Sequence, residues 1–330
     1  MNDKLLNGFI KRTDAARLRM RGIAVYHDGE KAAEHNWLFD ERRNIHSISK
    51  SFTSVAVGMA QEVGCFQITD KIAPYFEDKL PANPDHRLLE ITVEDLLTMR
   101  VGMRDAMNAE FRTCTIEDVE RYYLSRPMAH QSGQVFDYDT GASYMLAALV
   151  QRTMGISVRD FLQEKLFNPL GIENVTWPCC RKGVTIGGSG LMLTVSEMAA
   201  FGQLLLQKGE WEGEQIVPAS YLNSATIAHT VTPPEFIGIY GVSEGRFENA
   251  EVEFPEIDPT RAPRGYGYQF WTGIYPEKYP GAFYCGGSWG KWILVVPEKN
   301  AAISVCAHEQ TTHGQLIIEK ILEEEVIDAL

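Results

Sequence analysis

The run Asn44-Ile45-His46-Ser47-Ile48-Ser49-Lys50 sets a serine and a lysine three positions apart, where an apolar helical pattern begins. Residues three apart on a helix are neighbours on one face. A serine hydroxyl is a poor nucleophile until a base takes its proton. A lysine amine can be that base if burial or nearby positive charge lowers its pKa from about 10.4. The Ser47 amide would also lie at a helix N-terminus, where unpaired N–H groups and the macrodipole favour developing negative charge. The rival reading is an ordinary cap beside a solvated surface charge. Ser-x-x-Lys by itself arises about once in a few hundred residues at ordinary usage, so the rest of the chain has to decide.

Competing motifs fail on context. Gly286-Gly287-Ser288-Trp289-Gly290 matches G-x-S-x-G letter for letter. That nucleophile elbow needs strand, sharp turn and helix, then an acid and a histidine downstream. Here KWILVVPEKNAAISV follows, a strand-turn-strand pattern, and the chain ends at residue 330. His308 and His313 lie five apart rather than four, a rotation of roughly 140° on a helix. They cannot share a metal as a zinc-protease pair does, and they read as two exposed histidines ahead of a helix. Gly187-Gly188-Ser189-Gly190 lacks the lysine and the strand-then-helix setting of a phosphate loop. No metal and no cofactor is expected.

The elements that must hold Ser47 and Lys50 are legible. Phe52, Val55, Ala56, Met59 and Val63 recur at helical spacing, and Gly64 stops that helix. Upstream, residues 3 to 19 read as a surface helix with Leu5, Leu6, Phe9 and Ile10 on one face. GIAVYHDGEKAAEHNW then reads as a hairpin turning at Asp28-Gly29. From about 65 to 210 the pattern is mainly helical, with Thr92 capping VEDLLTM, a helix over Ser143–Met154, Ser157 capping Val158–Leu166, and Thr194 or Ser196 capping EMAAFGQLLLQKG. Strands return in GYGYQFWTG and AFYCGGSWGKWILVVPEKNAAISVCAH, turning at Pro297–Asn300, before a closing amphipathic helix. The chain therefore reads as α+β: one antiparallel sheet shared by both ends, flanked by helices, with a mainly helical region inserted. The expected division is 1–64 with 195–330 as a sheet domain, and 65–194 as a helical domain, with the active site in the cleft between.

Composition excludes several partners. Thirty-one Lys plus Arg against 44 Asp plus Glu give a net charge of −13, which repels nucleic acid and anionic membrane surfaces. The basic residues are scattered, so no stripe tracks a phosphate backbone. There is no apolar run of about 18 residues and no leader-like stretch at the start. Cysteines 65, 114, 179, 180, 285 and 306 show no framework spacing, so reduced thiols in a cytoplasmic protein are expected.

In this setting the sequence resembles the serine β-lactamase and penicillin-binding protein superfamily, in its class C-like branch of esterases, D-amino peptidases and 6-aminohexanoate-dimer hydrolases. The likeness runs in unbroken order over roughly residues 20 to 325. SISKSFTSVAVGMAQEVGCFQITDKIAPYF is similar to the nucleophile helix, and ITVEDLLTMRVGMRD to the segment the family writes LLTHTSG. GQVFDYDTGASYMLAALVQRTMG is similar to its tyrosine motif, GGSGLMLTVSEMAAFGQLLLQKG to its glycine-led helix, and CGGSWG to its final strand motif. The resemblance implies a β-lactamase/transpeptidase-like fold.

It also implies roles. Ser47 would be the nucleophile, Lys50 its proton partner, and Tyr138 the general base and acid paired with Lys50. A phenol of pKa about 10 can serve only if cationic character lowers it. The backbone N–H groups of Ser47 and Ser288 would form the oxyanion hole. Thr140, Cys285, Gly286, Gly287 and Trp289 would contact substrate. Each has a plainer reading: Tyr138 as a packed core tyrosine, Gly286-Gly287 as a β-bulge, Trp289 and Trp292 as core. Asp137 and Asp139 would face solvent or anchor the loop, without a catalytic part.

Three departures from the family pattern shape the expected substrate. The usual Tyr-x-Asn is Tyr138-Asp139-Thr140 here. Thr140 can accept a hydrogen bond from Lys50 but lacks the amide that grips a β-lactam side chain. Cys285 stands where the final motif opens with Lys or His, removing the fixed charge that recognises a carboxylate; whether Lys291 substitutes is open. Met99-Arg100-Val101-Gly102 replaces HTSG. The expectation is a serine hydrolase of small esters or amides, with weak or no β-lactamase activity and no set oligomeric state. The alternatives are a non-catalytic ligand-binding relative, and a D-peptidase or β-lactamase.

Overall fold

The computed structural model describes residues 4–108, 115–232 and 264–330; Cys114 lies outside them. The first helix, α1 (Asn7–Ala15), is shorter than the span 3 to 19 suggested. Arg17 takes a left-handed φ of 51°, which ends the helix and turns the chain into β1 (Met20–His27). β1 and β2 (Glu30–Asn36) pair around Asp28 and Gly29, both at positive φ, as a tight hairpin turn requires. β3 (Arg43–Asn44) leads through one 3-10 turn, His46–Ile48, into α2 (Ser49–Glu62). The helical stretch contains α3 (Val93–Leu97), α4 (Val119–Leu124), α5 (Thr140–Met154) and α6 (Val158–Leu162). β4 (Met192–Leu193) pairs with β3, and α7 (Val195–Leu206) follows. After it come the hairpin β5 (Glu210–Trp211) and β6 (Glu214–Gln215), α8 (Ala219–Ala225) and β7 (Thr230–Val231). The final segment carries β8 (Gly265–Tyr266), β9 (Trp271–Thr272), β10 (Phe283–Gly287), β11 (Lys291–Val296), β12 (Ala301–Ala307) and α9 (Thr312–Leu322).

The main sheet runs β2-β1-β12-β11-β10-β9-β8-β7 and is antiparallel. Both ends of the chain build it, because β1 lies between β2 and β12. One face of the sheet joins α2, α5 and α7 in a large apolar core, and α1 and α9 cover the other face. Alternation along β10 sends Cys285 into the first core and Tyr284 into the second. Among the described residues, no helix is long and apolar enough to cross a membrane.

α2 is the buried axle of the molecule, since all but three of its 14 residues are buried. Phe52 is stacked between Phe201 (3.9 Å) and Phe167 (5.6 Å); burying one such side chain stabilises by roughly 1.5–3 kcal/mol. The hydroxyls on the same helix cannot reach water, so each finds a partner on a different element. Ser51 donates to the Gln269 carbonyl (2.8 Å), Thr53 to the Gly187 carbonyl (2.8 Å), and Ser54 bonds the Tyr221 hydroxyl (2.7 Å). These bonds on separate sides fix the rotation of the helix about its axis, and with it the direction of Lys50.

Candidate functional site

Ser47 lies inside the 3-10 turn that feeds α2. His46 enters that turn at φ 53°, and Ser49 closes it by donating to the His46 carbonyl (2.7 Å). Lys50 follows in the first turn of α2, and its amine lies 3.3 Å from Ser47 Oγ. The same amine donates to the Gly188 carbonyl (2.7 Å) and to Thr140 Oγ1 (3.1 Å). The residue is 1% exposed. Burial pushes the amine down to about 7, and the charge of Asp139 works in the opposite direction. The surface-charge reading of Lys50 is therefore excluded.

Tyr138 comes from the loop that enters α5. Its ring centroid is 4.8 Å from Lys50 Nζ, so the fold brings together groups some 90 residues apart in sequence. The ring is half-buried, stacked on Trp271 (5.6 Å) and edge-on to Tyr266 (6.1 Å). Asp139, next in the chain, is the N-cap of α5, and this starts the helix at Thr140, three residues before the expected Ser143. Its carboxylate accepts from the Gly141 and Met107 amides (2.7 and 2.9 Å) and from the Tyr123 hydroxyl (2.9 Å). Only 3% exposed, Asp139 anchors the loop and does not face solvent. Burial raises its carboxyl to about 6 even against these hydrogen bonds.

Strand β10 passes close to the turn that carries Ser47. Its register with β11 is unbroken from Phe283↔Val295 to Gly287↔Lys291, so Gly286-Gly287 is not a bulge. The glycines serve close approach instead. A Cβ on Gly287 would lie 2.4 Å from the Ile45 carbonyl oxygen, two residues before Ser47. A Cβ on Gly286 would lie 3.2 Å from the indole of Trp271. Ser288 follows in the turn between β10 and β11, and half-buried Trp289 occupies that turn at φ 70°. Trp289 meets His46 edge-on (4.7 Å) and His308 likewise (4.6 Å). His308 is thus a half-buried packing partner, and His313 sits within α9; neither is the exposed residue expected. Trp292 packs with the second core.

Cys285 is fully buried, and burial pushes its thiol up to about 12, so it carries no charge near neutrality. Lys291 does not take its place. Its side chain is 3% exposed and donates to the Ala307 carbonyl on β12 (2.9 Å), 5.5 Å from the Trp289 ring.

With this geometry in view, the family model for Beta-lactamase matches residues 9–326. The chain belongs to the Beta-lactamase family. Solved structures of the same fold include a Bacillus anthracis protein assigned as a 6-aminohexanoate-dimer hydrolase (20% identity, TM-score 0.73, 97% of this chain and 80% of that one). EstCE1, a hydrolase with promiscuous acyltransferase activity, matches at 14% identity and TM-score 0.70 over 97% of both chains. A class C β-lactamase mutant matches at 14% identity and TM-score 0.67, over 97% of this chain and 96% of that one. These identities speak for the fold alone.

Three contributors to the site of this Beta-lactamase family member were not foreseen. Asn108 accepts from the Thr140 amide (2.9 Å) and hydroxyl (2.7 Å) and donates to the Tyr138 carbonyl (2.8 Å). The Gly188 carbonyl takes a hydrogen from Lys50, and Trp271 lies between Tyr138 and β10. Gly188 stands in a glycine run that resembles the family's glycine-led helix, but that likeness marks no main-chain carbonyl as a partner for Lys50. Trp271 stood in a strand pattern, where a tryptophan is ordinary.

Proposed function

We propose that the protein is a serine hydrolase of small esters or amides that forms an acyl-enzyme on Ser47. The observation that carries this reading is the Lys50 amine, 3.3 Å from Ser47 Oγ and pushed down to about 7 by burial. A ligand-binding relative has no use for a buried amine poised between its two protonation states, and a general base does.

In the proposed sequence, neutral Lys50 takes the Ser47 proton as Oγ forms a bond to the acyl carbon. Negative charge on the carbonyl oxygen is met by the backbone N–H groups of Ser47 and Ser288. The close contact of Gly287 with the Ile45 carbonyl supports this pairing, because it brings the end of β10 against the nucleophile turn. As the bond to the leaving alcohol or amine breaks, Tyr138 and Lys50 return a proton to it. Tyr138 then takes a proton from the water that attacks the acyl carbon as its own passes to Lys50, and Lys50 returns that proton to Ser47 Oγ when the acyl bond breaks, releasing acid and free Ser47.

The neutral thiol of Cys285 and the inward-turned Lys291 leave position 285 without a cation for a carboxylate. This favours simple esters or amides over β-lactams. Labelling with a fluorophosphonate, alongside hydrolysis of a p-nitrophenyl ester, tests the reading. Wild type should be labelled and Ser47→Ala should not. Equal labelling of the two proteins would refute the assignment, and rapid nitrocefin turnover would refute the substrate preference.

A further inference from the structure

Lys50 Nζ is surrounded by three oxygens, those of Gly188 (2.7 Å), Thr140 (3.1 Å) and Ser47 (3.3 Å). A neutral amine has two hydrogens and one lone pair, and it works as a base only if the lone pair points at the serine. The Gly188 carbonyl must accept, so it takes one hydrogen. Thr140 is ambiguous by itself, because a hydroxyl can accept from the amine or donate to its lone pair.

Asn108 removes the ambiguity. The direction of its amide is over-determined: Oδ1 faces the Thr140 N–H (2.9 Å), a group that can only donate, and Nδ2 faces the Tyr138 carbonyl (2.8 Å), which can only accept. Oδ1 therefore accepts the hydroxyl hydrogen of Thr140 at 2.7 Å. With its one hydrogen committed there, the Thr140 oxygen can only accept from Lys50. Two acceptors then hold both hydrogens of the neutral amine. The third direction, toward Ser47, is the lone pair.

We propose that Asn108 is a positioning residue that acts through Thr140 to aim the lone pair of neutral Lys50 at Ser47 Oγ. Without Asn108 the Thr140 hydroxyl is free to rotate and donate into that lone pair, which would mask the base. The inference rests on Ser47 being the nucleophile. Asn108 is itself exposed. The loop that carries it is pinned independently, through the Met107 amide on the Asp139 carboxylate (2.9 Å) and the Met107 carbonyl on the Gly141 amide (3.1 Å). Replacing the Asn108 side chain leaves those bonds in place.

The test measures the second-order rate of Ser47 labelling by a fluorophosphonate between pH 5 and 9, for wild type, N108A, N108D, T140V and N108A/T140V. Thermal melting of each variant checks folding. N108A should label about tenfold more slowly on the alkaline plateau, the worth of one misdirected hydrogen bond. Its midpoint should move to lower pH, because a hydroxyl donating to the amine favours the neutral form. N108D keeps the acceptor and adds negative charge, so its midpoint should move to higher pH. With no hydroxyl left to orient, N108A should cost nothing further in the T140V background. An unchanged rate and midpoint in N108A would overturn the proposal. So would an equal loss with and without the Thr140 hydroxyl, since that is what a mere loop prop would give. Failure of the wild type to label would instead strike the hydrolase reading.

Discussion

Replacing Lys50 by Met should destroy activity and stabilise the fold, by an amount that depends on pH. The amine, ordinarily at 10.5, is held at about 7 by burial. Between about pH 7 and 10.5 the folded state binds fewer protons at this site than the unfolded chain does, so stability rises with pH across that window. Below it the full penalty applies, about 5 kcal/mol; it falls to about 4 kcal/mol at pH 7 and about 2 kcal/mol at pH 9. Met is of similar length and carries no charge, but it leaves the Gly188 carbonyl without the hydrogen it now receives at 2.7 Å, at a cost of about 1–3 kcal/mol. K50M should therefore be more stable than wild type by about 1–3 kcal/mol at pH 7. That advantage should shrink by about 2 kcal/mol on going to pH 9. Urea denaturation of both proteins at the two pH values measures the change, and all other titrating groups cancel in the difference. A gap between the two proteins that stays constant with pH would mean the amine is not held near 7, and the argument for a lysine base would go with it.

Gly287→Ala places a Cβ 2.4 Å from the Ile45 carbonyl oxygen, a backbone atom that cannot swing aside. Labelling of Ser47 should fall about 100- to 1,000-fold, the effect of losing one oxyanion donor, while Gly29→Ala, which strains the β1–β2 turn through its φ of 85° but meets no atom within 4 Å, should label at the wild-type rate. Trp271 lies half-buried against Tyr138 and over Gly286. Trp271→Ala should raise KM for a phenyl ester by about 2- to 12-fold, the range that one aromatic pair is worth, and should change KM for ethyl acetate less. Equal changes for the two esters would assign Trp271 to packing.

The proximity of Ser47 and Lys50 could be read from the chain because it is local: one residue in the 3-10 turn and one in the first turn of α2, three positions apart, are held close by backbone geometry. Tyr138 required the resemblance, since nothing in its neighbourhood marks it among thirteen tyrosines. Strand periodicity and turn chemistry fixed the hairpin at Asp28-Gly29 and the β11–β12 turn, where Asn300 adopts the left-handed conformation. Helix ends were less accurate. α5 begins early because Asp139 finds buried donors on two other segments, which no local pattern announces. Asn108 and the Gly188 carbonyl were invisible for a related reason: an asparagine in a loop and a main-chain oxygen have no distinctive spacing. Lys291 was undecidable because its direction depends on the pairing of β11 with β12.

The adjacency of β1 and β12 bears on how the molecule is made. Met20 pairs opposite Ala307, so two neighbouring strands of the sheet are far apart in the order of synthesis. The helical body and the serine turn leave the ribosome well before β10, which packs against that turn, has β11 as a neighbour. Closing so long a loop is slow compared with forming helices. Until β12 emerges, β1 and β2 stand as an unattached hairpin, an exposed edge that a chaperone would be expected to shield.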